Sequence, residues 1–368
     1  MEMHGGDIYR QRVDLDYSVC LNPLGMPPEA VSACMRLLAE EQHYPDIRCG
    51  ELRNLLSERL SRNGRRIPPE QILVGNGACE LIYLLVSETA EERRKAGFPS
   101  TSVLVPSPGF SEYAAAARAA GCGVRYLELK EEEGYRYPDH MEDFLGEDTG
   151  LVFLCSPNNP AGTVPDLSEM RRLAAVCRER GVRLCVDESF LPFSEKEEEL
   201  TALSLAASCP EVSVLRAFTK IYAMAGLRLG FLVTGSADVT EKLRGKLQPW
   251  NVSAAAQAAG CAALRADGRY LAKTRRLVAS EKEWMKARLL ENGAEILGAG
   301  EGCFLLFRAR EDLKEKLLEK RILIRDFEES EGLPRGVFRI GIRNRAENRK
   351  FVRILEDICK CGRTDDAS

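Results

Sequence analysis

The 368 residues predict an α/β protein: a large domain with a mainly parallel seven-stranded sheet sandwiched by helices, plus a smaller α+β domain. Three observations predict it. Seven short apolar runs, at 72–74, 103–105, 124–127, 151–155, 183–186, 212–215 and 231–233, alternate with helical stretches. That is the pattern of βαβ units whose sheet is covered on both faces. After Thr234 the pattern changes to long helical stretches near 254–266 and 268–292, then short runs at 304–307, 322–324 and 338–342. Polar groups also gather just past the ends of the apolar runs, where α/β proteins build their sites.

Taken in order, residues 1–27 read as irregular, with an extended Val13-Asp14-Leu15-Asp16-Tyr17-Ser18 and a turn at Asn22-Pro23-Leu24-Gly25. A helix is predicted from Pro28 to about Glu41, since proline is tolerated in a first helical turn. His43-Tyr44-Pro45-Asp46 ends it, and a second amphipathic helix covers about 50–63. Residues 1–45 are expected to join the small domain, 46–253 to form the large one, and 254–368 to complete the small one. The charged run Glu195-Lys196-Glu197-Glu198-Glu199 reads as a solvated loop.

A chain of this length allows about two domains with real cores. The net charge of −4 gives no reason to expect nucleic acid or an anionic membrane as partner. No apolar run approaches the ~20 residues that span a bilayer. Met1-Glu2-Met3-His4-Gly5-Gly6-Asp7 lacks the basic-then-apolar order of a secretory signal, so a cytoplasmic protein is expected. The 13 cysteines are odd in number and dispersed, many within apolar runs, which suits reduced core thiols rather than a disulfide framework or zinc site. With 3 histidines, no metal site is expected.

Lys220 is the residue around which the chemistry is organised. It follows the 212–215 run in Arg216-Ala217-Phe218-Thr219-Lys220, with Arg228 further on. An amine there suits a Schiff base with an aldehyde cofactor, while hydroxyl and guanidinium hold a phosphate. Alone it would read as a surface lysine before a loop, but five other stretches converge on the same chemistry. Gly75-Asn76-Gly77-Ala78-Cys79-Glu80 opens an apolar helix, so its glycines and free N–H groups favour a phosphate. Cys79 reads as a packed thiol rather than an activated one. Phe110, in Ser107-Pro108-Gly109-Phe110, covers a flat ring or packs the core. Asp187 ends a buried run, where a carboxylate is costly unless a cation answers it. A pyridinium N–H would do so, and Asn159 in Pro157-Asn158-Asn159-Pro160 could donate to a phenolate on the same ring. Arg325, Arg339 and Arg343 sit in apolar runs, where a guanidinium needs a carboxylate or phosphate.

These residues together resemble the class I/II aminotransferase superfamily of pyridoxal-phosphate enzymes, fold type I. The spacings from Asn159 to Asp187 and from Lys220 to Arg228 carry the resemblance, which covers nearly the whole chain. Within the superfamily the chain resembles the threonine-phosphate decarboxylases of cobalamin biosynthesis more than the histidinol-phosphate aminotransferases. The stretches that say so are His4-Gly5-Gly6-Asp7, Asn22-Pro23-Leu24-Gly25, Tyr44-Pro45-Asp46, Pro108-Gly109-Phe110, Asp187-Glu188-Ser189-Phe190, Pro249-Trp250 and Ile322-Leu323-Ile324-Arg325. The resemblance implies that the large domain binds pyridoxal 5'-phosphate through Lys220. Asp187 pairs with the ring nitrogen, Asn159 holds the phenolate oxygen, and Phe110 stacks on the ring, with Tyr113 as the second candidate. Gly77, Ala78, Cys79, Thr219 and Arg228 surround the phosphate. Tyr44 reaches that phosphate from a neighbouring subunit, which implies a homodimer. Arg339 meets the substrate α-carboxylate, Arg325 and His4 lie near a substrate phosphate, and Asn22 is counted with the substrate-binding residues. Phe190 stands where many relatives have a tyrosine that bonds the phenolate, which phenylalanine cannot do. Ala217, Cys79 and Cys20 also depart from the usual serine, hydroxylic residue and asparagine.

The expected activity is decarboxylation of an O-phosphorylated amino acid: L-threonine O-3-phosphate to (R)-1-aminopropan-2-yl phosphate, or O-phosphoserine to ethanolamine phosphate. The alternative is an aminotransferase acting on histidinol phosphate or another amino acid, because the same residues serve both outcomes. A catalytically idle dimeric binding protein is the third reading.

Overall fold

The seven apolar runs of the first two-thirds of the chain become one sheet because every second residue of each run finds a buried face. A computed structural model describes residues 5–10, 12–40, 43–298, 300–327 and 332–365. Its strands are β1 Leu15–Asp16, β2 Ile72–Gly75, β3 Ser102–Ser107, β4 Gly123–Glu128, β5 Thr149–Cys155, β6 Arg183–Asp187, β7 Val212–Ala217 and β8 Gly230–Thr234. Five more follow: β9 Glu295–Leu297, β10 Phe304–Arg308, β11 Ile322–Leu323, β12 Arg325–Asp326 and β13 Val337–Gly341. The large sheet has the order β2-β8-β7-β6-β5-β3-β4. All its pairings are parallel except those of β8, which runs antiparallel to β2 and β7. On β5, Leu151, Phe153 and Cys155 enter one core while Val152 and Leu154 enter the other. A strand covered on both faces has no polar alternation, which is why these runs read as continuous.

The chain after Thr234 supplies the helices Ala254–Arg265 and Asp267–Glu291, then a 4-stranded antiparallel sheet, β12-β13-β10-β9. β1 pairs in parallel with β11, so the N-terminal segment lies against the C-terminal part. The run at 322–324 divides: Ile322 and Leu323 pair with β1, whereas Arg325 and Asp326 pair with β13. A third core of Leu305, Phe307, Phe338, Ile340, Phe351 and neighbours lies under this sheet.

Local chemistry sets the ends. The helix expected over 50–63 stops at Leu60, because Asn63 and Gly64 take left-handed φ values of 53° and 79°. The charged run at 195–199 is exposed, as its composition suggests, at every position but Glu197. Glu197 is buried and faces Arg216, Arg59 and Arg275, while Glu188 meets Arg216 at 2.7 Å. Three guanidiniums draw that acid inward, a pairing that no spacing along the chain reveals. The 12 cysteines described are all free thiols. Among the described residues no helix is long and apolar enough to cross a membrane, and no metal-ligating cluster occurs.

Candidate active site

Parallel strands all end on one edge of the sheet, so the residues just past β5, β6 and β7 meet there. Asp187 is the last residue of β6, opposite Cys155 of β5 and Leu215 of β7. Lys220 follows β7 within the short helix Phe218–Ile221. Asn159 follows β5, and Gly77 leads from β2 into the helix Ala78–Lys95. Asp187, Lys220 and Asn159 line a cavity of about 110 Å³ with Ala78, Cys79, Phe110, Phe190, Thr219 and Arg228. It adjoins a cleft of about 360 Å³ that shares Lys220, Phe110, Asn159 and Phe190 and adds Cys20, Arg325 and Arg339.

Asp187 is 5% exposed. Its carboxylate accepts the Tyr113 hydroxyl at 2.7 Å and the Ser189 amide at 2.9 Å. Burial raises its pKa; the Ser189 and Tyr113 hydrogen bonds and the Lys220 charge oppose that. Tyr113 is itself fully buried, stacked on Phe153 at 4.6 Å, and burial pushes its phenol well up, so it stays a donor. The tyrosine held in reserve as a ring-stacking residue is therefore committed to Asp187. Phe110 packs edge-on to it at 5.5 Å and faces both cavities.

Lys220 is half-buried and lines both cavities. Burial lowers its pKa, and the Arg339 charge adds to this against the influence of Cys20 and Cys303. A neutral amine is the nucleophilic form. Its Nζ lies 5.8 Å from the Phe190 ring centre, so Phe190 is an apolar wall of the lysine pocket.

Around the helix start, Gly77 has φ +83°, and a Cβ there would come within 2.6 Å of the Arg228 Nη2. A Cβ on Gly230 would lie 2.7 Å from the Ala78 nitrogen. Both glycines keep room for Arg228 to approach the N–H groups that begin the helix and have no intrahelical acceptor. Cys79 lines both cavities, and burial raises its pKa, which excludes an activated thiolate.

Arg325 and Arg339 face each other in register across the antiparallel β12–β13 pair. Residues so opposed share one face of a sheet, about 5 Å apart at Cβ. Arg339 donates Nη1 to the Asn159 side-chain oxygen and Nη2 to the Ser18 carbonyl at 2.7 Å, while its Nε is buried without a partner among the described residues. Arg325 lies over Phe327 at 5.4 Å. Arg343 lies elsewhere, 6.0 Å from the Tyr17 ring.

Two expected contacts fall outside these cavities and one outside the described residues. Asn22 donates to the Ile221 carbonyl and the Thr274 hydroxyl, both at 2.7 Å, and accepts the Leu24 amide at 3.0 Å. With its amide spent, Asn22 fixes the chain beside Lys220 instead of reaching a substrate, a correction to its expected role. Tyr44 is 78% exposed and stacks on Trp250 at 4.5 Å, away from the cavities of its own chain. His4 lies outside the described residues. Sequence reasoning missed the Tyr113–Asp187 bond and the Glu112 carboxylate in the cleft, which accepts the Tyr83 hydroxyl at 3.0 Å. Neither has a signature in spacing alone.

The family model described as "Aminotransferase class I and II" matches residues 14–355. A threonine-phosphate decarboxylase of Salmonella typhimurium is 31% identical over 347 residues, spanning 94% of this chain and 91% of the relative. A histidinol-phosphate aminotransferase of Anaeromyxobacter sp. is 34% identical over 339 residues, spanning 91% and 88%. The crystal structure of the histidinol-phosphate aminotransferase from Clostridium acetobutylicum superposes with a TM-score of 0.82 at 25% identity, covering 94% of this chain and 99% of that one.

Proposed function

The chain belongs to the aminotransferase class I and II family, and from that premise we propose that it decarboxylates an O-phosphorylated α-amino acid. The cofactor of this family is pyridoxal 5'-phosphate. The donor set fits it. Lys220 offers a buried amine with lowered pKa, and Asp187 a buried carboxylate that lacks a full counter-charge. Gly77 lets the Arg228 guanidinium lie close against the helix start, where a phosphate is favoured, and the buried Ser189 hydroxyl has no partner among the described residues.

In this reading Lys220 holds the cofactor through its amine, Asp187 faces the ring nitrogen, and Asn159 donates its NH₂ to the ring oxygen. Phe110 covers the ring, and Ala78, Cys79, Thr219 and Arg228 hold the phosphate. When bound, the cofactor supplies an electron sink for the bond that breaks at the substrate α-carbon. Asp187, oriented by Tyr113 and Ser189, would face and sustain the cationic partner that sink requires. Arg339 holds the α-carboxylate and sets its angle; Arg325 holds the substrate phosphate. After carbon dioxide leaves, Lys220, whose lowered pKa suits proton transfer, returns a proton to the α-carbon. Phe190 and the surrounding apolar wall keep water from that carbon.

The observation that carries this reading is the register pairing of Arg325 with Arg339, which presents two guanidiniums on one face above Lys220. A substrate with two anionic groups at opposite ends matches it, as does the name of the Salmonella relative. L-threonine O-3-phosphate, giving (R)-1-aminopropan-2-yl phosphate for cobalamin side-chain synthesis, is the substrate we assign first; O-phosphoserine is the second. The similarity to histidinol-phosphate aminotransferases keeps one rival, amino transfer. The test is carbon dioxide release from each phosphoamino acid by the cofactor-loaded enzyme without a keto acid. Absence of release, with amino transfer once 2-oxoglutarate is added, would overturn the proposal. We further assign a homodimer in which Tyr44 serves the partner's cofactor phosphate. Exposed Met35, Leu38, Tyr44 and Trp250 supply apolar area for such an interface, and light scattering of the purified protein tests it.

A further inference from the structure

A second cavity, of about 150 Å³, lies between the start of the helix Gly50–Leu60, β2, and the chain from Arg244 to Asn251. It shares no residue with the cleft described above. Arg48, Arg53 and Arg244 line it, with Gln248 and Asn251. The Glu241 carboxylate answers two of the three guanidiniums. Arg244 donates Nη1 to Glu241, and the Arg48 Nη1 stands 3.7 Å from the same oxygen. Arg53 is buried and gives Nε and Nη2 to the Pro69 carbonyl, at 2.9 and 2.6 Å, a neutral acceptor. The Arg244 Nη2 is buried with no hydrogen-bond partner among the described residues.

The Glu241 and Glu70 charges favour the Arg53 guanidinium, and two further acids are already hydrogen-bonded. Asp46 accepts the Arg48 and Gly50 amides at 2.9 and 2.6 Å, capping the helix. Glu80 accepts the Asn251 side-chain amide at 2.6 Å and the Asn76 amide at 2.7 Å. Burial, then the neighbouring Arg244, disfavours the Arg53 charge. A cluster of like charges with an unpaired buried donor is costly unless an anion joins it. The cavity has room for several waters or one compact oxyanion. Three guanidiniums among its lining residues suit an oxyanion better than a flat apolar ligand.

We propose that this cavity is an anion site for inorganic phosphate or the phosphate group of a small phosphomonoester, held by Arg48, Arg53 and Arg244. The site stands apart from the Arg325–Arg339 pair and does not depend on the reaction assigned above. The test uses cofactor-loaded enzyme carrying Arg325→Met, so that neither the cofactor cradle nor the substrate cleft takes up the probe. Inorganic phosphate is titrated in a calorimeter at constant ionic strength. Saturable binding of one ion per chain is expected, weakened about tenfold or more by adding Arg244→Met, the loss of one charge-assisted hydrogen bond. Arg48→Met, at a largely exposed side chain, is expected to weaken it several-fold without disturbing the fold. Glycerol phosphate that competes assigns the site to phosphomonoesters; glycerol phosphate that does not, with phosphate still bound, assigns it to the free ion. No saturable binding, or binding unchanged in both Arg48→Met and Arg244→Met, overturns the proposal.

Discussion

Replacing Asp187 with asparagine isolates the charge on which the proposed cofactor site rests. The carboxylate is almost fully buried, and two donors already orient it, the Tyr113 hydroxyl and the Ser189 amide. Asparagine keeps the size and one acceptor oxygen, so the fold stays intact while the charge goes. A cation facing position 187 would then lose its counter-charge inside the protein. Removing one partner of a buried pair costs about 3–5 kcal/mol. At about 1.4 kcal/mol per factor of ten, cofactor affinity and turnover together fall by roughly two to four orders of magnitude. Cofactor-free protein titrated with pyridoxal phosphate, followed by absorbance, gives the affinity part. Single turnovers with a phosphoamino acid at saturating cofactor give the remainder. The cofactor-free variant should melt no lower than the wild type, because an uncompensated buried carboxylate has been removed. An Asp187→Asn enzyme that binds cofactor and turns over within about threefold of wild type refutes the pairing.

Three further outcomes follow from the same geometry. In cofactor-free protein burial holds the folded-state pKa of Lys220 below the usual lysine value of 10.5. Between those two values the unfolded chain holds a proton that the folded chain lacks, so stability rises with pH across that window. Lys220→Met removes this liability: its melting temperature should exceed the wild type's at neutral pH, and the gap should narrow as pH approaches 10.5. Gly77→Ala at φ +83° places a methyl against Arg228, and should cost about 1–2 kcal/mol in urea unfolding and about tenfold or more in cofactor affinity. Arg216→Met strands the buried Glu188 and Glu197 and should cost about 3–5 kcal/mol in urea at pH 7. Burial alone would raise the Glu197 pKa, but Arg216, Arg59 and Arg275 hold it at about 2. Its contribution is complete above 4.5 and lost as pH falls through about 2, so the variant should lose less stability than the wild type across that window.

The large sheet was legible because burial on both faces writes itself into the chain. Leu151 to Cys155 are all apolar, since alternate residues enter different cores. Strand ends were legible for the opposite reason: Asp187 and Asn159 interrupt apolar runs at a fixed edge. The short strand Glu295–Leu297 was not legible. Its Glu295 and Ile296 lie on the sheet's rim, where one neighbour in β10 suffices and little hydrophobic pattern is needed. Glu197 was misread because a carboxylate among carboxylates looks solvated, and only folding shows Arg216, Arg59 and Arg275 arriving from three separate elements.

Tyr113 and the arginine pair expose the deeper limit. Sequence named Arg325 and Arg339 individually, from the cost of a guanidinium in an apolar run. That they act on one ligand depends on register: Arg325 opposes Arg339 and Asp326 opposes Phe338. A slip of one residue would turn Arg325 to the other face and put Asp326 beside Arg339 in the cleft. The carboxylate would then repel a phosphate where the guanidinium attracts one. Register here is held by Phe338 and Ile340 packing beneath β13 and by the departure of Ile322 and Leu323 to pair with β1. The placing of both guanidiniums in one cleft thus rests on apolar side chains on the far side of the sheet.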